Sequence, residues 1–314
     1  MAQHFGDRSP FVAIGTFDGV HRGHRAVLQT MVQAARLAKA PAVVLTFVPH
    51  PLTILRPEEA PPLLMSYEQR AELLCGTGAE ALVELPFNGE LAHTSPATFV
   101  QRHLCQQARA RRVFVGADFS FGARGAGRPE TLAVLGRQAC GLETTVVPLL
   151  ESQGLPISST RIRQALREGR PALAARLLGR PFSLHGEVRR GRQLGAELGF
   201  PTANLVPPTG VVCPEQGVYA AWGRTLGPEG PGPWRPAVAN LGRRPTVDGE
   251  NVVLEVHLLG FSGDLYGQRL EVAFLRRLRG ERRFPNVDAL RAQIGRDAAR
   301  AATILEHSPW ATAP

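Results

Sequence analysis

Five short apolar runs, at residues 11–14, 43–47, 81–85, 113–116 and 144–148, alternate with helix-length stretches through the first half of the chain. The stretches fall at about 24–38, 66–75, 95–110 and 130–139. The first carries Leu28, Met31, Val32 and Ala35 on one helical face and stops before Pro41. Strands that alternate with helices cannot pair as hairpins. They predict an α/β fold with a parallel, doubly wound sheet. Ligands of such sheets sit at the carboxyl ends of the strands, so that is where chemistry is sought.

The pattern ends after a helix at about 160–168 and a shorter helical stretch to residue 178. From Gly179 to about Phe274 the chain is rich in Gly, Pro and short β-like runs, at 185–188, 218–222, 237–239, 252–259 and 270–274. This texture predicts an antiparallel barrel or sandwich. Residues 227–234, Gly-Pro-Glu-Gly-Pro-Gly-Pro-Trp, compose a surface hairpin loop. Near the end, Asn286 or Asp288 can cap a helix with Leu290, Ile294, Ala298, Ala301 and Leu305 at helical spacing, packed mainly for stability. No internal repeat is visible. The domain boundary is expected near 178–182, giving domains 1–180 and 181–314.

Composition narrows the class. At 314 residues, 44% hydrophobic and 20% charged, the chain can bury two cores. No apolar stretch approaches a membrane span, and the first residues lack a signal-peptide pattern, so a soluble, cytoplasmic protein with no membrane partner is expected. Cys75, Cys105, Cys140 and Cys213 are widely spaced without a CxxC, and four free thiols are expected rather than a zinc or redox site. The formal charge is +9, and of the 36 basic residues only Lys39 is a lysine. Lys39 follows no glycine-rich loop, which excludes a P-loop. The arginines are scattered rather than grouped with aromatics, so no nucleic-acid partner is signalled.

One chemical constellation follows the first apolar run. Gly15, Thr16, Phe17, Asp18, Gly19, Val20, His21, Arg22, Gly23 and His24 lead into the first helix. Glycines let backbone N–H groups approach an anion, and a helix N-terminus adds unpaired donors. His21 and His24 are three apart and can face one ligand. The whole makes a cradle for a nucleoside triphosphate in which imidazoles stabilise charge on the α-phosphate. Two histidines opening a helix is the plain alternative. Ser158, Ser159, Thr160, Arg161 and Arg163 open another helix after the fifth run and also suit phosphate. Phe119 and Phe121, after the fourth run, offer a stacking surface or simply core.

The second constellation lies in the β-rich half. Thr202 and Asn204 are two apart and project alike from an extended segment, as two neutral oxygen ligands of Mg²⁺ can. Glu255 breaks an apolar strand, sharing a face with Val253, His257 and Leu259. A carboxylate there can take the proton of a primary hydroxyl during phosphoryl transfer. An edge-strand Glu facing water is the alternative.

Together these motifs resemble a known family. With Thr46-Phe47-Val48-Pro49-His50-Pro51 and the run Val115–Gly122, the first half resembles the HxGH nucleotidyltransferases, and more narrowly the N-terminal half of the bacterial bifunctional riboflavin kinase/FAD synthetases. The second half resembles the riboflavin kinase module through residues 179–182, 195–204, 217–219, 240–246, 255–257, 264–267 and 278–281, then Phe284, Gln293, Ile294 and Asp297. The resemblance implies a nucleotidyltransferase domain followed by a β-barrel kinase domain with a terminal helix. It implies riboflavin, FMN and ATP as substrates, Mg²⁺ as cofactor, and leaves a homo-oligomer open. Carried over, His21, His24, Ser159, Thr160 and Arg163 handle the ATP phosphates alongside Gly15, Thr16, Phe17 and Asp18. Asp118, Phe119 and Phe121 lie near flavin. In the second half the resemblance makes Thr202 and Asn204 ligands of Mg–ATP and Glu255 the base. Gly191, Arg192 and Gly195 belong to a phosphate-covering loop, and Arg279 and Glu281 to the flavin pocket. Gly260 and Gly280 depart from the family pattern. Two other readings remain: one site inactive or serving another acceptor, and a flavin- or RNA-binding protein using the arginines.

Overall fold

In the computed structural model, which describes residues 8–191, 194–246 and 249–310, the apolar run Phe11–Ile14 is buried at every position and forms strand β1. Helix α1 (Arg22–Ala38) follows it, burying Val27, Leu28, Met31 and Ala35, and ends on Lys39 in the left-handed region before Pro41. Strand β2 (Ala42–Val48), a short helix α2 (Pro51–Leu55), helix α3 (Tyr67–Cys75) and strand β3 (Ala81–Pro86) come next. Ser66 and Gln69 start α3 with a reciprocal capping box. After α4 (Gly89–Ala92) and α5 (Pro96–Phe99), strand β4 (Arg112–Gly116), helix α6 (Pro129–Cys140) and strand β5 (Glu143–Val147) complete the layer. All pairings are parallel, in the order β3-β2-β1-β4-β5. That is the doubly wound sheet the alternation predicts. The central strands are buried on both faces and the edge strands β3 and β5 are half-exposed.

Two details differ from the sequence expectation. The single helix expected over 95–110 is a short α-helix that continues as a π-helix, Val100–Gln107, with the Ala108 N–H bonded to the carbonyl of His103. The four thiols are not all free: Cys105 and Cys140 form a disulfide across 35 residues of sequence, leaving Cys75 and Cys213 as thiols. The π-helix and α6 pack side by side, a tertiary juxtaposition that spacing along the chain does not carry.

Strands β6 (Glu151–Ser152) and β7 (Leu155–Pro156) make a small hairpin before α7 (Ser159–Arg167) and α8 (Pro171–Leu178). The β-rich half then forms β8 (Phe182–Arg189), a turn of helix α9 (Leu194–Glu197), β9 (Ala203–Leu205), β10 (Gly217–Gly227), β11 (Gly230–Pro231), β12 (Arg235–Thr246), β13 (Gly249–Leu258) and β14 (Arg269–Arg279). The antiparallel order β10-β12-β13-β9-β8-β14 closes through a β14–β10 pairing, so the choice between barrel and sandwich resolves to a closed barrel. Residues 227–234 are the β10–β11 hairpin and its exit, as their composition predicts. Helix α10 (Val287–Glu306) is capped by the side chain of Asn286 and packs Ala301 and Leu305 against Val218, Ala220, Trp222 and Leu275 of the barrel. The chain falls into two compact units, 1–159 and 160–314. Residues 1–7, on which the absence of a leader was read, and Arg192 lie outside the described residues.

Candidate active sites

Where β1 and β4 lie side by side, the chain winds away to opposite ends of the sheet, and a crevice opens at their carboxyl ends. A cavity of about 460 Å³ occupies it, walled by Ile14, Gly15, Thr16, Phe17, His21 and His24 on one side and Gly116, Asp118, Phe119 and Phe121 on the other. The loop out of β1 turns sharply. Phe17, Gly19 and Val20 have φ of 50°, 86° and 39°, and a Cβ on Gly19 would stand 2.6 Å from Leu64 Cδ1. Gly19 is therefore required by both conformation and space.

His21 caps α1 with its own ring, Nδ1 accepting the His24 N–H at 3.3 Å. The two imidazoles stack at 3.6 Å between centroids, and Phe17 meets His24 edge-on. Gly23 permits this, since a Cβ there would stand 3.1 Å from the His21 ring. Both histidines thus face one cavity at a helix N-terminus, the arrangement their spacing predicts. Ser159 Oγ donates to the Asp18 carbonyl at 2.8 Å and also walls the cavity. Asp18 itself is 2% exposed and is not a wall; its carboxylate accepts the Leu64 N–H. Thr160 and Arg163 fall in the second compact unit, Thr160 exposed and Arg163 buried on α7.

At the other end Asp118 is exposed on the cavity wall, and the Phe119 and Phe121 rings stack at 5.7 Å. Phe121 is buried against Phe99, so it is core and cavity floor at once. Sequence reading missed the rim: Leu52, Leu55, Leu149 and Leu150 also wall the cavity and stay exposed. Leu52 and Leu55 sit on the five-residue α2 and Leu149 and Leu150 in a connecting segment, stretches too short to show a periodicity.

The barrel has its own cavity, of about 390 Å³, between its wall and α10. Strand register builds it. Asn204 on β9 pairs with Glu255 on β13, Glu255 with Asn240 on β12, Asn240 with Val218 on β10, and Val218 with Arg279 on β14. All five wall the cavity, with Thr202, Gly195, His257 and Glu281. Asn240 is a polar member that sequence reading left without a role; it breaks the apolar run of β12 as Glu255 breaks that of β13. Asn204 is 9% exposed and its Oδ1 has no hydrogen-bond partner among the described residues. Gly191 approaches it so closely that a Cβ would lie 2.5 Å from Asn204 Nδ2. Thr202 is held in place by its neighbour: the Pro201 carbonyl bonds His257 Nδ1 at 2.8 Å, and Phe200 packs edge-on to the same ring.

Arg279 donates to Asp297 at 2.9 Å, and its guanidinium lies over the Phe284 ring. Asp297 is 4% exposed and also accepts from Gln293. On the helix expected mainly to stabilise the barrel, Leu290 and Ile294 line the cavity. The pocket is therefore polar along the β9–β13–β12 row and apolar against α10, as a ligand with a flat apolar body and a polar tail requires. Gly260, one of the two departures, lies in the turn after β13 with φ 66° and open space around it, where no neighbour is disturbed.

Comparison with known proteins agrees with this division. A family model described as FAD synthetase matches residues 6–161, and one described as riboflavin kinase matches residues 178–305. The protein named bifunctional riboflavin kinase/FMN adenylyltransferase in Escherichia coli (strain K12) is 40% identical over 91% of this chain and 90% of its own length. The proteins of that name in Pseudomonas fluorescens and Bacillus subtilis (strain 168) are 40% and 34% identical, over 96% and 91% of this chain and 94% and 89% of theirs. A solved structure described as a macrolide-efflux protein from Streptococcus pneumoniae matches with a TM-score of 0.85 at 31% identity, covering 96% of both chains. Among the described residues of this chain no helix is long and apolar enough to cross a membrane. Two domains in the order of their family models, matched along nearly their whole length by bifunctional relatives, place this chain in the bifunctional riboflavin kinase/FMN adenylyltransferase family.

Proposed function

We propose that the family's two reactions run in the two cavities separately, riboflavin to FMN in the barrel and FMN to FAD at the β1/β4 crevice, each with ATP. The observation that carries this is the wall composition: among the described residues, the walls of one cavity fall within 14–159 and those of the other within 195–297. The catalytic domains are 1–180 and 181–314, a division supported by family matches that end at 161 and resume at 178.

In the barrel, Glu255 takes the proton of the ribityl 5′-hydroxyl as its oxygen bonds the γ-phosphorus of ATP; the bond to ADP breaks and FMN forms. Thr202 and Asn204 would hold Mg²⁺ beside the ATP phosphates, with Gly195 and Gly191 next to them. The donor chemistry fits: two neutral side-chain oxygens, one of them buried without a protein partner. Among the described residues no group of three His, Cys, Asp or Glu could hold a metal alone. When bound, the ion neutralises charge on the phosphate oxygens. Arg279 and Glu281, with Phe284, Leu290 and Ile294, hold the flavin.

In the crevice an oxygen of the FMN phosphate bonds the α-phosphorus of ATP, and pyrophosphate leaves. His21 and His24 stabilise the charge that gathers there, and neither must act as a base. Gly15, Thr16, Phe17 and Ser159 cradle the nucleotide. Asp118, Phe119 and Phe121 meet the flavin. Asp18 supports the loop from behind through Leu64. The reading places the enzyme in the cytoplasm, where ATP is held.

The test is a pair of variants in the full chain. Glu255→Ala abolishes FMN formation and spares FMN-to-FAD conversion, and His24→Ala does the reverse, read by chromatography of the flavins. A stable, folded variant of either kind that loses both activities would sink the two-site assignment.

A further inference from the structure

We infer that Arg70 is a positioning residue for adenylyl transfer, holding the carboxyl ends of β1 and β2 in the shape the nucleotide cradle requires; this rests on the reading of the β1/β4 crevice as the adenylyl-transfer site. Arg70 projects from α3 and is 2% exposed, the largest fully buried side chain among the described residues. An arginine is almost never buried so completely without a task. Its task is legible in the hydrogen bonds. The β1–β2 pairing ends at Ile14 and Leu45, and the last bond between the two strands is from the Gly15 N–H to the Leu45 carbonyl. Beyond that point Arg70 takes over: Nη1 donates to the Thr16 carbonyl at 2.9 Å and Nη2 to the Phe47 carbonyl at 3.1 Å. One planar fork thus bridges two strand ends past the backbone bond from Gly15 to Leu45.

Its surroundings lock the fork. Thr46 Oγ1 is a second donor to the Thr16 carbonyl at 3.2 Å. Glu84 on β3 lies 3.7 Å from Nη2, and the Tyr67 ring stands 4.9 Å from the guanidinium carbon. The Tyr67 hydroxyl accepts the N–H of His50 at 2.9 Å, so α3 also fixes the chain beyond β2. Burial lowers the pKa of Arg70, and Glu84, Tyr67 and Asp18 oppose that fall. Thr16, Phe47 and His50 wall the cavity, and Arg70 does not. It acts through them. A displacement of about 1 Å in such a cradle can cost about 100-fold in rate with no contact to substrate lost.

The test uses the full chain, whose riboflavin kinase activity serves as an internal reference for folded protein. Arg70→Lys keeps the charge and loses the fork; Thr46→Val removes the second donor to Thr16 and serves if the first variant folds poorly. The expected result for Arg70→Lys is kinase activity within about twofold of the parent and a fall of at least about 10-fold in kcat for FMN-to-FAD conversion, with KM for ATP changed much less. Thr46→Val moves the same quantity in the same direction by a smaller factor. A lowered melting temperature with kcat per folded molecule unchanged in both variants would overturn the inference and leave Arg70 a purely structural strut. His24→Ala measured alongside separates the two layers. If it abolishes FAD formation while the Arg70 and Thr46 variants do not, only this inference fails; if it leaves FAD formation intact, the site assignment itself is wrong.

Discussion

Glu271 shows how a single carboxylate can set the acid limit of the barrel. It is 8% exposed on β14, accepts from Ser183 Oγ at 2.8 Å and Arg224 Nε at 2.7 Å, and lies 3.1 Å from His185 Nε2. Burial alone would push its pKa up; the bond and charge of His185, the charge of Arg224 and the bond of Ser183 overcome that and hold it at about 2. The folded-state value is therefore depressed from the ordinary 4.5, so its stabilisation is full above pH 4.5 and is lost as pH falls towards 2. A shift of this size is worth about 3 kcal/mol. All three tryptophans, Trp222, Trp234 and Trp310, lie in the second half of the chain, so their fluorescence follows the barrel alone. Urea midpoints read that way should fall steeply between pH 4.5 and 2.5 in the parent and much less in Glu271→Gln; equal falls in both would remove Glu271 from the account. Glu271 was not legible in the sequence as Glu255 was. Glu255 interrupts an apolar strand at a position facing a cavity, whereas the partners of Glu271 come from β8 and β10, and their approach depends on barrel closure.

At the scale of elements, periodicity carried the sheet and its helices because each strand and each helix face is a local pattern. It did not carry what two elements do together. The strand β9 is only three residues long, too short to alternate visibly, yet it places Asn204 against Glu255. Leu290 and Ile294 share the spacing of Ala301 and Leu305, and spacing cannot tell that one end of α10 covers a cavity while the other covers the barrel wall. The disulfide is the same case. Cys105 on the π-helix and Cys140 on the last turn of α6 meet only because those helices are neighbours. Closing a loop of 35 residues contributes about 3–4 kcal/mol by restricting the unfolded chain. Protein unfolded in guanidinium without reductant should therefore titrate two thiols, from Cys75 and Cys213, and four after reduction. Four thiols without reduction would show that the pair is not bonded in the isolated protein, and would return the chain to the free-thiol expectation of its sequence.

For the whole molecule, the property on which the proposed two-site reading rests is that each cavity has a wall of its own. The polar row Asn204–Glu255–Asn240 is assembled by barrel register, and the stacked histidines by the loop between β1 and α1; among the described residues neither cavity draws a wall from the other compact unit. This is also why so much of the function was readable: each constellation sits within a short stretch of chain, so its spacing survives in the sequence, whereas Arg70 acts across 54 residues and left no local mark. A molecule built this way has no structural need to keep FMN bound between the steps. Two variants, one silent in each cavity, should then complement each other through solution. Glu255→Ala and His24→Ala mixed in equal amounts, with riboflavin and ATP, should make FAD although neither does alone. FAD should appear after a lag in which free FMN accumulates. Raising the concentration of Glu255→Ala alone should shorten that lag, because that variant carries the working adenylyl-transfer site. If the mixture makes FMN but no FAD, while Glu255→Ala still converts added FMN at the same concentration, then FMN made by one molecule is withheld from the next.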